Sequence, residues 1–313
     1  MSNGVKLSLA LLVAVWLGQQ GARAAEIAGR ITVNGQERSY FVVTPGSAAP
    51  RRLPTVIVLH GALMDGRWMQ ETMGLDPIAR KEGFLAVYPD ALHRLWNDGR
   101  RYKRVFWRRD RERTDDVAFL KRLAGRLVDQ GLADPDRVYL IGVSHGGMLA
   151  FRAACEAAET FAAVGVVIAN MPVDVARTCK PHRGMPIIVI NATDDPLMPW
   201  NGGPLGYLGQ QGAVISTPDS IDFWRRNNGC AAKAEKRALP DKDPSDGTTT
   251  SAKQYIACGT GAPVVLVTVE GGGHVPPGAD MGPLVTAVMG KANKDISAAD
   301  LSWKFFRQFP PSR

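Results

Sequence analysis

The pentapeptide Gly142-Val143-Ser144-His145-Gly146 sets a serine between glycines, after an apolar run and before an alanine-rich one. This G-x-S-x-G pattern suits a sharp strand-to-helix turn, where side chains at the flanking positions would collide with neighbouring backbone. Such a turn lifts Oγ into a cleft at a helix N-terminus, whose dipole and exposed N–H groups favour developing negative charge. A serine hydroxyl is a weak nucleophile, so the implied chemistry, acyl transfer through serine, needs a base. The chain holds five histidines: His60, His93, His145, His182 and His274. Behind an elbow of this kind the partners follow in the order serine, acid, histidine, which leaves His182 and His274. His182 stands in Lys180-Pro181-His182-Arg183, ahead of an apolar strand and so at the sheet edge opposite the elbow. His274 follows the apolar run 263–269, within Gly271-Gly272-Gly273-His274, and is the expected base.

The acid should project from the carboxyl end of a strand lying between these two residues. Ile190-Asn191-Ala192-Thr193-Asp194-Asp195-Pro196 offers two carboxylates. Asp195 is preferred because Pro196 fixes the turn after it, while Asp194 is then free to face solvent or cap the loop. Asp194 stays open as the alternative. Asp219 and Asp222 suit a helix start better, where carboxylates act as caps. Two backbone donors are needed for the oxyanion, one from the residue after the nucleophile and one from a loop after an earlier strand, which designates His145 and Ala62. The His60 imidazole is expected to brace that loop rather than bind metal, since no second His or Cys lies at ligand spacing, and no metal is expected elsewhere.

These residues require a scaffold of buried strands. Short apolar runs at 55–59, 84–88, 137–142, 163–168, 186–190 and 263–269 fit strands, and helical spacing appears over 115–128, 146–158, 218–228 and 297–309. Their alternation predicts an α/β fold with a mainly parallel central sheet covered by helices on both faces. Residues 26–43 read as an antiparallel hairpin at the sheet edge, Asp134-Pro135-Asp136 as a turn, and 241–251 as an exposed loop.

Ahead of this scaffold, Lys6, the apolar run 7–17 and Ala22-Arg23-Ala24 read as a secretory signal peptide over 1–24. No later stretch approaches the roughly 20 apolar residues of a membrane helix, so no span is expected after cleavage and the location is secreted or periplasmic. The remaining about 290 residues, 25–313, are expected to form one catalytic domain. The formal net charge is +8, with basic residues concentrated at Arg94, Arg100, Arg101, Lys103, Arg104, Arg108, Arg109, Arg111 and Arg113. Asp98, Asp110 and Glu112 intersperse them, so a solvated basic loop outweighs anion steering, and no nucleic-acid partner is expected.

Taken in order, Leu59-His60-Gly61, Tyr88-Pro89-Asp90, Trp96-Asn97-Asp98-Gly99, 115–120, 142–148, Asp195-Pro196, Gly202-Gly203 and Gly272-Gly273-His274 resemble the secreted polyhydroxybutyrate depolymerase and feruloyl esterase family of α/β hydrolases. The resemblance covers most of the chain after residue 24. It implies the α/β-hydrolase fold, a triad at Ser144, Asp195 and His274, and an aromatic wall for the substrate at Trp96 and Trp107, for which core packing is an equal alternative; Trp200 is a further lining candidate, with buried scaffold as its alternative. Val275-Pro276-Pro277-Gly278 departs from the family's Trp-Pro-Gly turn after the histidine, and the 94–113 segment is unusually basic for it.

Four cysteines in an exported chain, with no close pair, suggest two disulfides. Cys155, late in the helix after the elbow, and Cys179, before a strand, should meet at the sheet edge far from the serine. Cys230 and Cys258 fall on the same edge, giving the pairs Cys155–Cys179 and Cys230–Cys258. The expected activity is hydrolysis of carboxylic esters through an acyl-enzyme, with no cofactor. Hydroxybutyrate oligomers and feruloyl or acetyl esters, including polysaccharide-linked ones, remain open as substrates. With no second module expected after Pro310, small soluble esters and oligomers are expected to rank above solid polymer. The competing readings are a peptidase of the same fold, a non-catalytic binding protein, and a polyanion-binding protein using the 94–113 loop.

Overall fold

The computed structural model describes residues 25–46, 52–101, 114–206 and 209–309. Ten strands form one sheet: β1 (Glu26–Val33), β2 (Gln36–Val43), β3 (Leu53–Leu59), β4 (Leu85–Pro89), β5 (Ala133–Val143), β6 (Ala163–Val167), β7 (Ile187–Ala192), β10 (Glu235–Ala238), β11 (Thr249–Tyr255) and β12 (Val264–Glu270). A two-residue pair, β8 (Gly203–Pro204) and β9 (Ala213–Val214), stands apart from it. The sheet order is β1-β2-β4-β3-β5-β6-β7-β12-β11-β10, and the six strands from β4 to β12 in this order are mutually parallel. These six are the apolar runs read from the sequence, buried on both faces as parallel strands must be.

Helices α1 (Gly66–Met73), α2 (Leu75–Glu82) and α8 (Ala298–Phe306) cover one face; α3 (Asp116–Asp129), α4 (His145–Glu156) and α6 (Thr217–Asn227) cover the other. Two shorter elements, α5 (Val173–Thr178) and α7 (Gly282–Met289), lie in the connections. On the first face Trp303 stacks on Phe84 at 4.0 Å and Phe306 on Tyr139 at 5.0 Å between centroids. Fully burying a side chain such as Phe84 or Phe306 contributes about 1.5–3 kcal/mol. With helices on both faces of a mostly parallel sheet, the chain has the α/β-hydrolase architecture.

The edges are antiparallel. The hairpin β1–β2 is where the sequence reading has it. A second hairpin, β10–β11, closes the other edge and corrects the reading of 241–251 as a loop throughout, because β11 begins at Thr249. Its sequences, Glu-Lys-Arg-Ala and Thr-Thr-Ser-Ala-Lys-Gln-Tyr, carry no apolar run; Thr250 and Ala252 are buried at alternate positions, and Tyr255 packs into the cluster on the opposite face. Asp134-Pro135-Asp136, read as a turn, lies instead within β5 where its register against β3 shifts, with the Asp134 carboxylate accepting from the Asp136 amide at 3.0 Å. The parallel ladder resumes at Val138 opposite Thr55.

Chain order reverses around β3, which lies between β4 and β5. In open α/β sheets, ligands bind outside the carboxyl ends of the strands at such a point. The loops after β3, β5, β7 and β12 all emerge on that edge. Disulfides Cys155–Cys179 and Cys230–Cys258 tie down the helix ends remote from it.

Candidate active site

Ser144 is the single residue between β5 and α4, and its backbone is left-handed, with φ 53° and ψ −115°. A non-glycine residue in that region is strained and persists only where its surroundings hold it. Here the Ser144 amide donates to the Val167 carbonyl at 2.9 Å, and the Ser144 carbonyl accepts from the Met148 amide at 3.1 Å. The flanking glycines are demanded by contact: a Cβ on Gly142 would stand 2.2 Å from the Gly146 carbonyl oxygen, and one on Gly146 2.5 Å from that of Leu59.

The neighbouring strands β7 and β12 deliver the other two groups. His274 Nδ1 lies 2.6 Å from Asp195 Oδ2, and His274 Nε2 lies 2.8 Å from Ser144 Oγ. Asp195 Oδ1 accepts from the Leu197 and Met198 amides at 2.8 and 2.7 Å, which locks the carboxylate and leaves Oδ2 for the ring. Asp195 and His274 are both buried. Asp194 is exposed and accepts from the Thr193 hydroxyl, away from the ring. Backbone bonds also hold the histidine: its amide donates to the Met289 carbonyl at 2.6 Å, and that of Gly273 to Lys291 at 2.9 Å. His182 is exposed in the loop before β7. With Nδ1–H donated to Asp195, Nε2 is free to accept the serine proton.

Ala62 follows β3, and Gly61 beside it brings its Cβ position within 3.7 Å of Ser144 Cβ. Ala62 and His145 border the same cleft as Ser144 and His274. The loop is braced as the sequence suggests: His60 Nδ1–H donates to the Gly61 carbonyl at 2.7 Å, and Nε2 accepts from the Ala91 amide at 3.0 Å. This bonding needs a neutral ring, and burial, the largest cause, lowers the His60 pKa from its ordinary 6.5 against the opposing pull of the Gly61 carbonyl. The unfolded chain therefore binds a proton that the folded one refuses, so stability increases with pH between the folded and unfolded values. The His60 contribution should be intact above the ordinary value and lost as pH falls through the folded one. Melting temperatures measured between pH 5 and 8 should fall less steeply with acid in His60→Gln than in the parent; parallel curves would count against the assignment.

Among the described residues, no tryptophan lines the cleft. Trp96 is fully buried; its indole N–H donates to the His60 carbonyl at 2.9 Å and its ring packs on that imidazole at 4.8 Å. It is scaffold for the loop after β3. Trp200 is half-buried and lines a separate groove with Ile221 and Tyr255. Trp107 lies outside the described residues. The cleft, about 270 Å³, is walled instead by Leu63, Leu95, Met148, Leu197, Met198 and Leu205. Arg100 and Gln211 also border it and were missed, Arg100 because it was read with the solvated basic segment. It is buried and bonded to Asp98, whereas Arg94 is exposed and pairs with Asp65 at 3.2 Å. Arg101 is exposed, and the basic positions from 103 to 113 lie outside the described residues.

A family model described as Esterase PHB depolymerase matches residues 38–197. "Putative esterase NocK" of Nocardia uniformis subsp. tsuyamanensis is 31% identical over 300 residues, covering 91% of this chain and 83% of its own. Feruloyl esterase B of Piromyces equi is 27% identical over 172 residues, covering 54% of this chain and 30% of its own length. Among solved structures, the acetyl xylan esterase from Aspergillus awamori superposes with a TM-score of 0.57 at 13% identity, over 90% of this chain and 99% of that one, a likeness of fold. A family match over half the chain and a relative matched along most of its length agree: the protein belongs to the polyhydroxybutyrate depolymerase family of esterases and is a carboxylic ester hydrolase.

Proposed function

We propose that the protein is an exported serine esterase acting through an acyl-enzyme, with Ser144 as nucleophile, His274 as general base and acid, and Asp195 as the group that orients it. The observation that carries this reading is the single imidazole bridging Ser144 Oγ at 2.8 Å and a buried carboxylate at 2.6 Å. His274 Nε2 takes the serine proton as Oγ bonds to the ester carbonyl carbon, and Asp195 stabilises the imidazolium. The carbonyl oxygen becomes an oxyanion received by the amides of Ala62 and His145. Collapse breaks the bond to the alcohol oxygen, which leaves with the proton from His274. Water, deprotonated by the same ring, then attacks the acyl-enzyme and releases the acid and free Ser144.

The apolar walls and modest volume of the cleft support short acyl groups of hydroxybutyrate or acetyl type ahead of bulky ones. Export is supported by the N-terminal signal pattern and by two disulfides, which persist in oxidising compartments. Among the described residues no helix is long and apolar enough to cross a membrane. The test is a rate ranking over p-nitrophenyl acetate and butyrate, methyl ferulate and soluble hydroxybutyrate oligomers with protein beginning at Ala25. The short esters and oligomers should turn over fastest. A folded protein that favours methyl ferulate would overturn the acyl preference, and one that cleaves none of them would overturn the whole reading.

A further inference from the structure

One buried ionic cluster touches the site and has no part in the proton transfers. Asp98 is fully buried in the loop after β4. Its Oδ2 accepts from Arg100 Nε at 2.8 Å and lies 2.7 Å from Arg100 Nη2; its Oδ1 accepts from the Arg100 amide at 3.1 Å. The same Oδ2 is 3.0 Å from Nε2 of His145, itself buried. Arg100 Nη1 donates onward to the Gln211 carbonyl at 2.9 Å. One carboxylate thus joins three walls of the Ser144 cleft: the elbow at His145, the segment at Arg100 and the loop at Gln211.

Taking such charges out of water costs several kcal/mol per ion, and well-packed apolar residues of similar volume would serve stability as well. A cluster of this kind is better explained by what it holds in place. His145 supplies the amide that faces the developing oxyanion, and its ring is the handle by which that first turn of α4 can be fixed. We propose that Asp98 is a positioning residue of the ester-cleaving site: by anchoring the His145 imidazole it sets the His145 amide in the oxyanion hole, and through Arg100 it sets the facing wall. The proposal rests on the reading of Ser144 as nucleophile.

An oxyanion donor acts within a narrow distance range, and a misplacement of about 1 Å costs on the order of 100-fold in rate. Asp98→Asn is therefore expected to lower kcat roughly 10- to 100-fold, per active site titrated with a fluorophosphonate, with KM changed less than about threefold. His145→Gln should show the same split. The double variant Asp98→Asn/His145→Gln should be no slower than the slower single variant, because the His145 ring acts through the contact that Asp98→Asn already disturbs. A boronic acid, which forms a tetrahedral adduct on the serine, should bind the variants more weakly in step with kcat, while inhibition by the product acid stays near the parent value.

An unchanged kcat per titrated site, or losses that add in the double variant, would overturn the proposal. So would a boronate affinity that holds while kcat falls. If Asp98→Asn does not fold, His145→Gln alone decides by the same kcat and boronate criteria. A parent protein that neither reacts with fluorophosphonate nor loses activity in Ser144→Ala would instead overturn the serine mechanism itself, a distinguishable result.

Discussion

Replacing Ser144 or His274 by alanine is expected to lower kcat on p-nitrophenyl butyrate by about 10⁴- to 10⁶-fold, with KM near the parent value. The two groups act as one unit, since His274 is useful only while Ser144 Oγ sits 2.8 Å from its Nε2. The double variant should therefore be no slower than either single one. Asp195→Asn keeps the shape but offers the ring an amide, so the imidazole is held in the wrong tautomer, and kcat should fall by about 10⁴-fold. Asp194→Asn serves as the internal comparison. Its carboxylate is exposed and bonded to Thr193, so the variant should stay within about threefold of the parent. Steady-state kinetics on the four variants decide between the adjacent acids. A large loss in Asp194→Asn with activity kept in Asp195→Asn would reverse the assignment, and activity kept in Ser144→Ala would end it.

These residues were legible because the chemistry constrains chain order and the fold constrains where each group can emerge. Parallel strands buried on both faces write themselves as apolar runs, and the elbow glycines are forced by contacts as close as 2.2 Å. What sequence reasoning missed was set by partners far along the chain. Strand β10 is fully exposed, so nothing in its composition distinguishes it from a loop until β11 pairs with it. Trp96 beside a motif looks like a substrate wall, but its N–H is consumed by the His60 carbonyl in the core. Arg100 looks like part of a solvated basic run, and only the meeting of Asp98 with the elbow, 47 positions along by number, shows why it is buried. The counter-charge of Arg100 stands two positions before it, but spacing along the chain carries no trace of the contact between that carboxylate and His145.

The same blindness applies to Arg38, which sits in the polar start of β2 and is nonetheless only 2% exposed. Its guanidinium lies 4.1 Å from the Phe119 ring centroid, with Nη2 2.6 Å from Asp116 Oδ1 and donating to the Asp90 carbonyl at 3.2 Å. Asp116 opens α3, and its Oδ2 accepts from the Asn97 amide at 2.5 Å. Arg38→Met or Asp116→Ala leaves one buried charge without its counter-charge, and each is expected to cost about 3–5 kcal/mol of stability. In a chain of this size that lowers the melting temperature by roughly 10 °C. Arg38→Met/Asp116→Leu removes both charges and should recover most of the loss, because the desolvation cost disappears together with the attraction. Thermal and urea unfolding with the disulfides intact tests this, and single variants within about 0.5 kcal/mol of the parent would contradict it. The double variant also separates two reasons for keeping the pair. Asp116 holds the Asn97 amide, and Asp98 is the next residue. If the double variant regains its stability but keeps a reduced kcat, the pair serves the geometry of the segment that anchors His145, and its role in stability is incidental to that.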